Sequence, residues 1–285
     1  MEKITRVGFI GLGNMGKPLA ANLLQAGFDL MVYDVREGPV KDLAAKGAKV
    51  GASPAEIGRH GEVIELAVVD DAQVESVVLG KNGVLEGAEA GAVVIVHSTI
   101  HPRTIRNVVE KATAKKVGVL DAQMSGGARG VRARTLCFMV GGDKAVLEKC
   151  RPVLAASGKD IFHVGEVGMG AVAKAAQQAM ICLNRLSAYE GLLLAEKAGL
   201  DPRILQQIAH VTSAQSRIVD QWFEQYKELR GTEPQEAARQ LHLFYKGLCP
   251  ALELAHDVGV SLPGVALVQQ LFDKVLGFKK PEERE

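Results

Sequence analysis

The chain has 285 residues, 47% hydrophobic and 24% charged, with a formal net charge of +1 at pH 7. Length suggests two domains, the composition is that of a packed globular protein, and the lack of any basic run excludes a nucleic-acid footprint. Cys137, Cys150, Cys182 and Cys249 have neither metal nor disulfide spacing and read as reduced thiols in a cytoplasmic setting, while no apolar run approaches a membrane span and no signal-peptide design opens the chain.

The first strand, Arg6 to Ile10, runs into Gly11-Leu-Gly-Asn-Met-Gly16 and then a helix from Lys17 to Ala26. A second strand, Asp29 to Tyr33, ends at Asp34. A G-x-G-x-x-G between strand and helix, with an acid closing the next strand, predicts a dinucleotide site. Backbone N–H groups of Gly11, Gly13, Asn14, Met15 and Gly16 approach the pyrophosphate, and Asp34 accepts from the adenosine ribose hydroxyls. NAD is therefore the expected cofactor, with NADP the alternative because Arg36 stands two residues beyond Asp34.

The alternation of strand and helix continues. Ser53-Pro-Ala-Glu56 is a capping box with proline at the first helical position. Strands are expected at 62–69, 93–96, 117–120 and 136–140, with helices at 101–115 and from 143 to about 155. Such a pattern means a mostly parallel sheet with ligands at the carboxyl ends of its strands. Val68, Val69 and Thr99 fall at those ends as candidate cofactor contacts. Ser98 and Thr99 serve either that role or as caps of the following helix. Asp121-Ala-Gln-Met-Ser-Gly-Gly127 is read as a loop after a strand, either a plain glycine turn or, through the Ser125 hydroxyl and the N–H groups of Gly126 and Gly127, a carboxylate cradle. Arg129, Arg132 and Arg134 read as a solvated loop face rather than an anion grip. The seven histidines have no metal spacing, so no metal is expected, and His97 and His101 are read as structural.

Residues from about Ala171 to Ala198 are strong helix formers without proline, closed by Gly199. This long helix marks a domain junction, with Lys174 near its start and Gln178 one turn on along the same face. Beyond it only helices are expected: one from Asp201-Pro202, one from about Ser216 to Leu229 carrying Trp222, Phe223 and Tyr226, one at 235–245, a further one to about His256, and a last one ending near Gly277 before a charged, frayed tail at 279–285.

Taken together, Gly8 to Pro18, Ser98-Thr-Ile-His-Pro102, Asp121 to Gly127, Gly168-Met-Gly-Ala-Val-Ala-Lys174 and Lys246-Gly-Leu248 resemble the β-hydroxyacid dehydrogenase family, of the 3-hydroxyisobutyrate dehydrogenase and tartronate semialdehyde reductase type. The resemblance covers almost the whole chain. It implies an α/β fold with an N-terminal Rossmann domain at 1–164 and an all-helical substrate and oligomerisation domain at 165–285, joined by the central helix. It implies Lys174 as general acid/base, Ser125, Gly126 and Gly127 as holders of the substrate carboxylate, and Lys246 near cofactor and substrate. Gln178, one turn from the lysine, is a further substrate candidate that can hold the same oxygen. The activity implied is hydride transfer between NAD(P) and a small 3-hydroxy acid or its semialdehyde, on a small carboxylate substrate and with neither nucleic acid nor membrane as partner. A cytoplasmic homodimer or homotetramer is expected, because Trp222, Phe223, Tyr226, Phe244 and Tyr245 and the apolar face of the long helix offer more surface than a small bundle buries alone. An imine reductase-like or a non-catalytic dinucleotide-binding member of the same fold is the alternative.

Four departures from the family pattern bear on the substrate. Gln123-Met124 replace proline and valine, Gln177-Gln178 replace two asparagines, Gly247 replaces an aspartate, and Pro250 stands where an apolar helix former is usual.

Overall fold

A computed structural model describes residues 4–225 and 247–271. The chain divides into two compact units, Met1–Lys174 and Ala175–Glu285.

The first unit is built on one eight-stranded sheet: β1 (Arg6–Ile10), β2 (Asp29–Tyr33), β3 (Lys49–Val50), β4 (Val63–Leu66), β5 (Val93–Val96), β6 (Gly118–Ser125), β7 (Leu136–Gly141) and β8 (Gly158–Gly165). Their order is β3-β2-β1-β4-β5-β6-β7-β8. Every neighbouring pair is parallel except β6 and β7. The central strands β1, β4 and β5 are almost wholly apolar because both faces of the sheet are covered. On one face Val7, Phe9 and Ile95 pack with residues of α1 (Gly16–Gln25), α2 (Glu37–Ala44) and α8 (Lys144–Ala155). On the other, Ile10, Val94 and Val96 pack with α3 (Pro54–His60), α4 (Asp71–Leu79), α5 (Val84–Gly87) and α6 (Pro102–Ala114).

Several elements depart from the sequence reading. The strand expected to stop at 120 runs on to Ser125, so Asp121 lies inside β6 and not in a loop. After it comes α7 (Gly127–Ala133), so Arg129 and Arg132 are exposed on a short helix instead of a loop, and Arg134 is exposed at its C-terminal cap. Residues 126–135 are too few for the dozen or more that a parallel crossover needs, and β7 returns antiparallel. Strand β8 was not anticipated: as an edge strand it carries Lys159, Asp160 and His163 with no clean apolar alternation.

Helix α9 (Met169–Lys197) begins in the first unit and continues through the second. It stops at Gly199 (φ +87°), whose amide bonds back to Glu196 while that of Leu200 bonds to Ala195. In the second unit Ala175, Ala179 and Cys182 of α9 pack with Leu248 and Ala251, from the helical residues 247–257, and with Val265 and Val268 of the helix Pro263–Gln270. Further along α9, Ala188 and Leu192 pack with Ala209 of α10 (Pro202–His210), Val219 of α11 (Arg217–Asp220) and Trp222. The expected helix from Ser216 is interrupted at Gln221, and its part beyond residue 225, with Tyr226, lies outside the described residues. So do the helix expected at 235–245, with Phe244 and Tyr245, the end of the last helix and the 279–285 tail.

Candidate active site

The parallel arrangement of β2, β1, β4, β5 and β6 puts their carboxyl ends along one edge of the sheet. The turn Gly11 to Gly16, Asp34, the Val68–Val69 pair, Thr99 and the Ser125–Gly127 segment therefore share that edge. The glycine turn is a close-packed cradle. A Cβ on Gly16 would lie 1.8 Å from the Gly11 carbonyl oxygen, so only glycine lets α1 start this near β1. Within the turn Leu12 is buried and Asn14 exposed, and Met15 precedes the first residue of α1. Asp34 is fixed to the same turn, since its Oδ2 accepts from the Leu12 amide at 2.6 Å. Arg36 donates to both Asp34 oxygens at 3.0 Å, through Nε and Nη2. Burial alone would raise the Asp34 pKa, but the Arg36 hydrogen bonds and the Leu12 amide outweigh it and hold the carboxylate ionised. The Arg36 amide also donates to Oδ1 at 2.8 Å, so the roughly four acceptor positions of the carboxylate are taken, and a ribose hydroxyl would share or displace one of these donors. These residues fit a nicotinamide dinucleotide.

Val69 is exposed and Val68 and Thr99 are half-buried at the same edge. Ser98 does not cap the helix that follows. Its hydroxyl takes a hydrogen bond from the Val68 amide at 3.0 Å and gives one to the Val68 carbonyl at 2.8 Å, tying β5 to β4. The cap of α6 is His101, whose Nδ1 accepts from the Arg103 amide. His97 is buried, hydrogen-bonded to the Ala122 carbonyl and 3.4 Å from Glu65.

On β6, Ser125 is half-buried while Gly126 and Gly127 are exposed. Gly126 has φ +128°, a conformation that side chains resist, and it turns the chain sharply from the strand into α7. Ser125 pairs directly with Cys137 across the antiparallel ladder. The Cys137 thiol is pushed up by burial and by Asp160, and pulled back by the charge of Lys174. Lys174 itself is pushed down to about 8 by burial, with Cys137 acting the other way. The last rung of the β6·β7 ladder thus joins the candidate carboxylate anchor to the neighbourhood of the lysine. An amine with a pKa near 8 exchanges its proton readily at physiological pH, which is what a general acid/base requires.

The sequence offered no signal for two of these neighbours. Cys137 was read only as a reduced thiol. Asp121 was read as a loop residue, whereas it is fully buried and its carboxylate accepts from the amides of Gly168 (3.0 Å) and Ala171 (2.8 Å). Burial raises its pKa against those donors. Gln178 lies in the second unit, four residues beyond Lys174 on α9. Lys246 lies outside the described residues.

Residues 6–165 match the family described as the NAD binding domain of 6-phosphogluconate dehydrogenase. Residues 168–282 match that described as NAD-binding of NADP-dependent 3-hydroxyisobutyrate dehydrogenase. A 2-(hydroxymethyl)glutarate dehydrogenase of Eubacterium barkeri is 35% identical, over 96% of this chain and 90% of that protein. The chain belongs to the β-hydroxyacid dehydrogenase family. A 3-hydroxyisobutyrate dehydrogenase of Pseudomonas aeruginosa is 37% identical over 94% of this chain and 91% of its own length. Among solved structures, the Mycobacterium tuberculosis 3-hydroxyisobutyrate dehydrogenase with L-serine superposes with a TM-score of 0.82 at 28% identity, covering 96% of this chain and 94% of that one. Like its family, this β-hydroxyacid dehydrogenase is an NAD(P)-dependent oxidoreductase of hydroxy acids, with a Rossmann domain followed by a helical part.

Proposed function

We propose that this enzyme interconverts a small 3-hydroxy acid and its semialdehyde, with Lys174 as general acid/base and NAD preferred over NADP. Nicotinamide supplies the hydride acceptor or donor. The chain's own work is proton transfer and positioning. In oxidation the neutral Lys174 amine takes the hydroxyl proton, and in reduction the ammonium returns it. The Ser125 hydroxyl and the N–H groups of Gly126 and Gly127 hold the substrate carboxylate, and Gln178 holds the oxygen that Lys174 serves. Gly11, Gly13, Asn14, Met15, Gly16, Asp34, Val68, Val69, Thr99 and Lys246 contact the cofactor. In this reading residues 1–164 bind dinucleotide and 165–285 complete the substrate site.

The observation that carries the proposal is the link from Ser125 through Cys137 to Lys174. An anchor at a set distance from the base favours a 3-hydroxy acid over a 2-hydroxy acid. The test compares 3-hydroxy acids with matched alcohols in which an amide or methyl replaces the carboxylate. Acids should exceed the neutral analogues by at least tenfold in kcat/KM, since charge-assisted hydrogen bonds are roughly twice as strong as neutral ones. Equal values would remove the anchor.

We also propose a cytoplasmic homo-oligomer assembled through the helical half. Trp222 is buried within its own unit, which corrects the expectation that it offers surface for assembly, and Phe223 packs against the same cluster. Support comes instead from exposed Met180 and Leu194 of α9 and Ile204 and Ile208 of α10. The four cysteines are free thiols, as in a reducing compartment. Light scattering at micromolar concentration should report a dimer or tetramer; a monomer contradicts the assembly.

A further inference from the structure

We infer that Asp121 is a positioning residue that sets the place of Lys174 over the end of β6. The carboxylate binds the first turn of α9 from within the strand that ends at Ser125. Its Oδ1 accepts from Gly168 and its Oδ2 from Ala171, three residues before the lysine. The fit between helix and strand here admits no slack. A Cβ on Gly170 would lie 2.4 Å from the Asp121 carbonyl oxygen, 2.6 Å from its Oδ2 and 2.8 Å from the Met139 carbonyl oxygen.

The ladder then relates the two ends. Asp121 pairs with Gly141 at one rung of β6·β7, and Ser125 pairs with Cys137 at the last. Helix α9 starts on the first rung, and Lys174 acts electrostatically on the Cys137 thiol at the last. One strand therefore carries both the helix anchor and the segment proposed to hold the substrate carboxylate. Any shift of the helix start moves the amine relative to that segment. Misplacement by about 1 Å costs on the order of a hundredfold in rate.

This inference rests on the proposed acid/base role of Lys174. Asp121→Asn preserves shape, but its NH2 faces one of the two amide donors, so one of the bonds from Gly168 and Ala171 is lost. It should lower kcat by about 10- to 100-fold, with KM for NAD unchanged. Combined with Lys174→Ala, Asp121→Asn should lower kcat no further, because there is no amine left to place. Gly170→Ala, which keeps the carboxylate and pushes the helix start off it, should give the same pattern and stands in if Asp121→Asn fails to fold. Unchanged kcat in both variants, a loss confined to KM for NAD, or effects that multiply with Lys174→Ala would overturn the role of Asp121. Full turnover by Lys174→Ala alone would instead overturn the reading on which it rests.

Discussion

The amide nitrogen of Gln178 occupies the space that a side chain at residue 247 would need. A Cβ built on Gly247 lies 2.6 Å from Gln178 Nε2 and 3.6 Å from its Cδ. Both residues flank contacts that join α9 to the helical residues 247–257, Ala175 and Ala179 on one side and Leu248 on the other. Two of the departures from the family pattern, a longer amide at 178 and no side chain at 247, are therefore one local change: the glycine leaves room for the extra methylene.

Gly247→Ala should displace the Gln178 amide and raise KM for the hydroxy acid about tenfold, the order expected for one misplaced methylene-sized contact. KM for NAD should not change. In a Gln178→Asn background the same substitution should have little effect, because the shorter side chain clears the new methyl. A double-mutant cycle of steady-state constants checks this, and equal effects in both backgrounds would separate the two residues.

Lys174→Ala should reduce kcat by about 10²–10⁴ while cofactor binding, read by nucleotide fluorescence, stays near that of the parent. The pH dependence follows from burial, which brings Lys174 down to about 8. The neutral amine predominates above that pH, so kcat/KM for oxidation should rise through pH 8 to a plateau. In reduction the ammonium is required, so activity should hold below pH 8 and fall above it. Profiles in both directions, with the same inflection and opposite slope, check the assignment. A limb that persists in Lys174→Ala belongs to another group.

NAD should exceed NADP in kcat/KM. Asp34 is held ionised beside the glycine turn by the Leu12 amide and by Arg36, so it would repel a 2′-phosphate. Arg36, the residue that argued for NADP, already spends its guanidinium on Asp34. Arg36→Ala should leave NAD as the better substrate, and Asp34→Ala should narrow the ratio. A parent enzyme that prefers NADP refutes the argument.

What the sequence determined by itself is governed by residues close along the chain. The glycine turn, its strand and helix, and the acid at Asp34 were readable because a βα turn over a pyrophosphate constrains consecutive positions. The cap at Ser53 holds, with the Glu56 amide donating to the Ser53 hydroxyl, while the Glu56 carboxylate accepts from the Ala52 amide, one residue before the cap. The long helix and its stop at Gly199 follow from propensity and from one left-handed residue. Tertiary structure alone decided the rest. Asp121 meets Gly168 and Ala171 some fifty residues away, and Ser98 meets Val68 thirty residues back. Cys137 comes opposite Ser125 only because a short connection forces β7 to run antiparallel. Local periodicity cannot encode such meetings: a side chain's hydrogen-bonding capacity is written in its residue type, but its partner is set by which strands become neighbours and in which register.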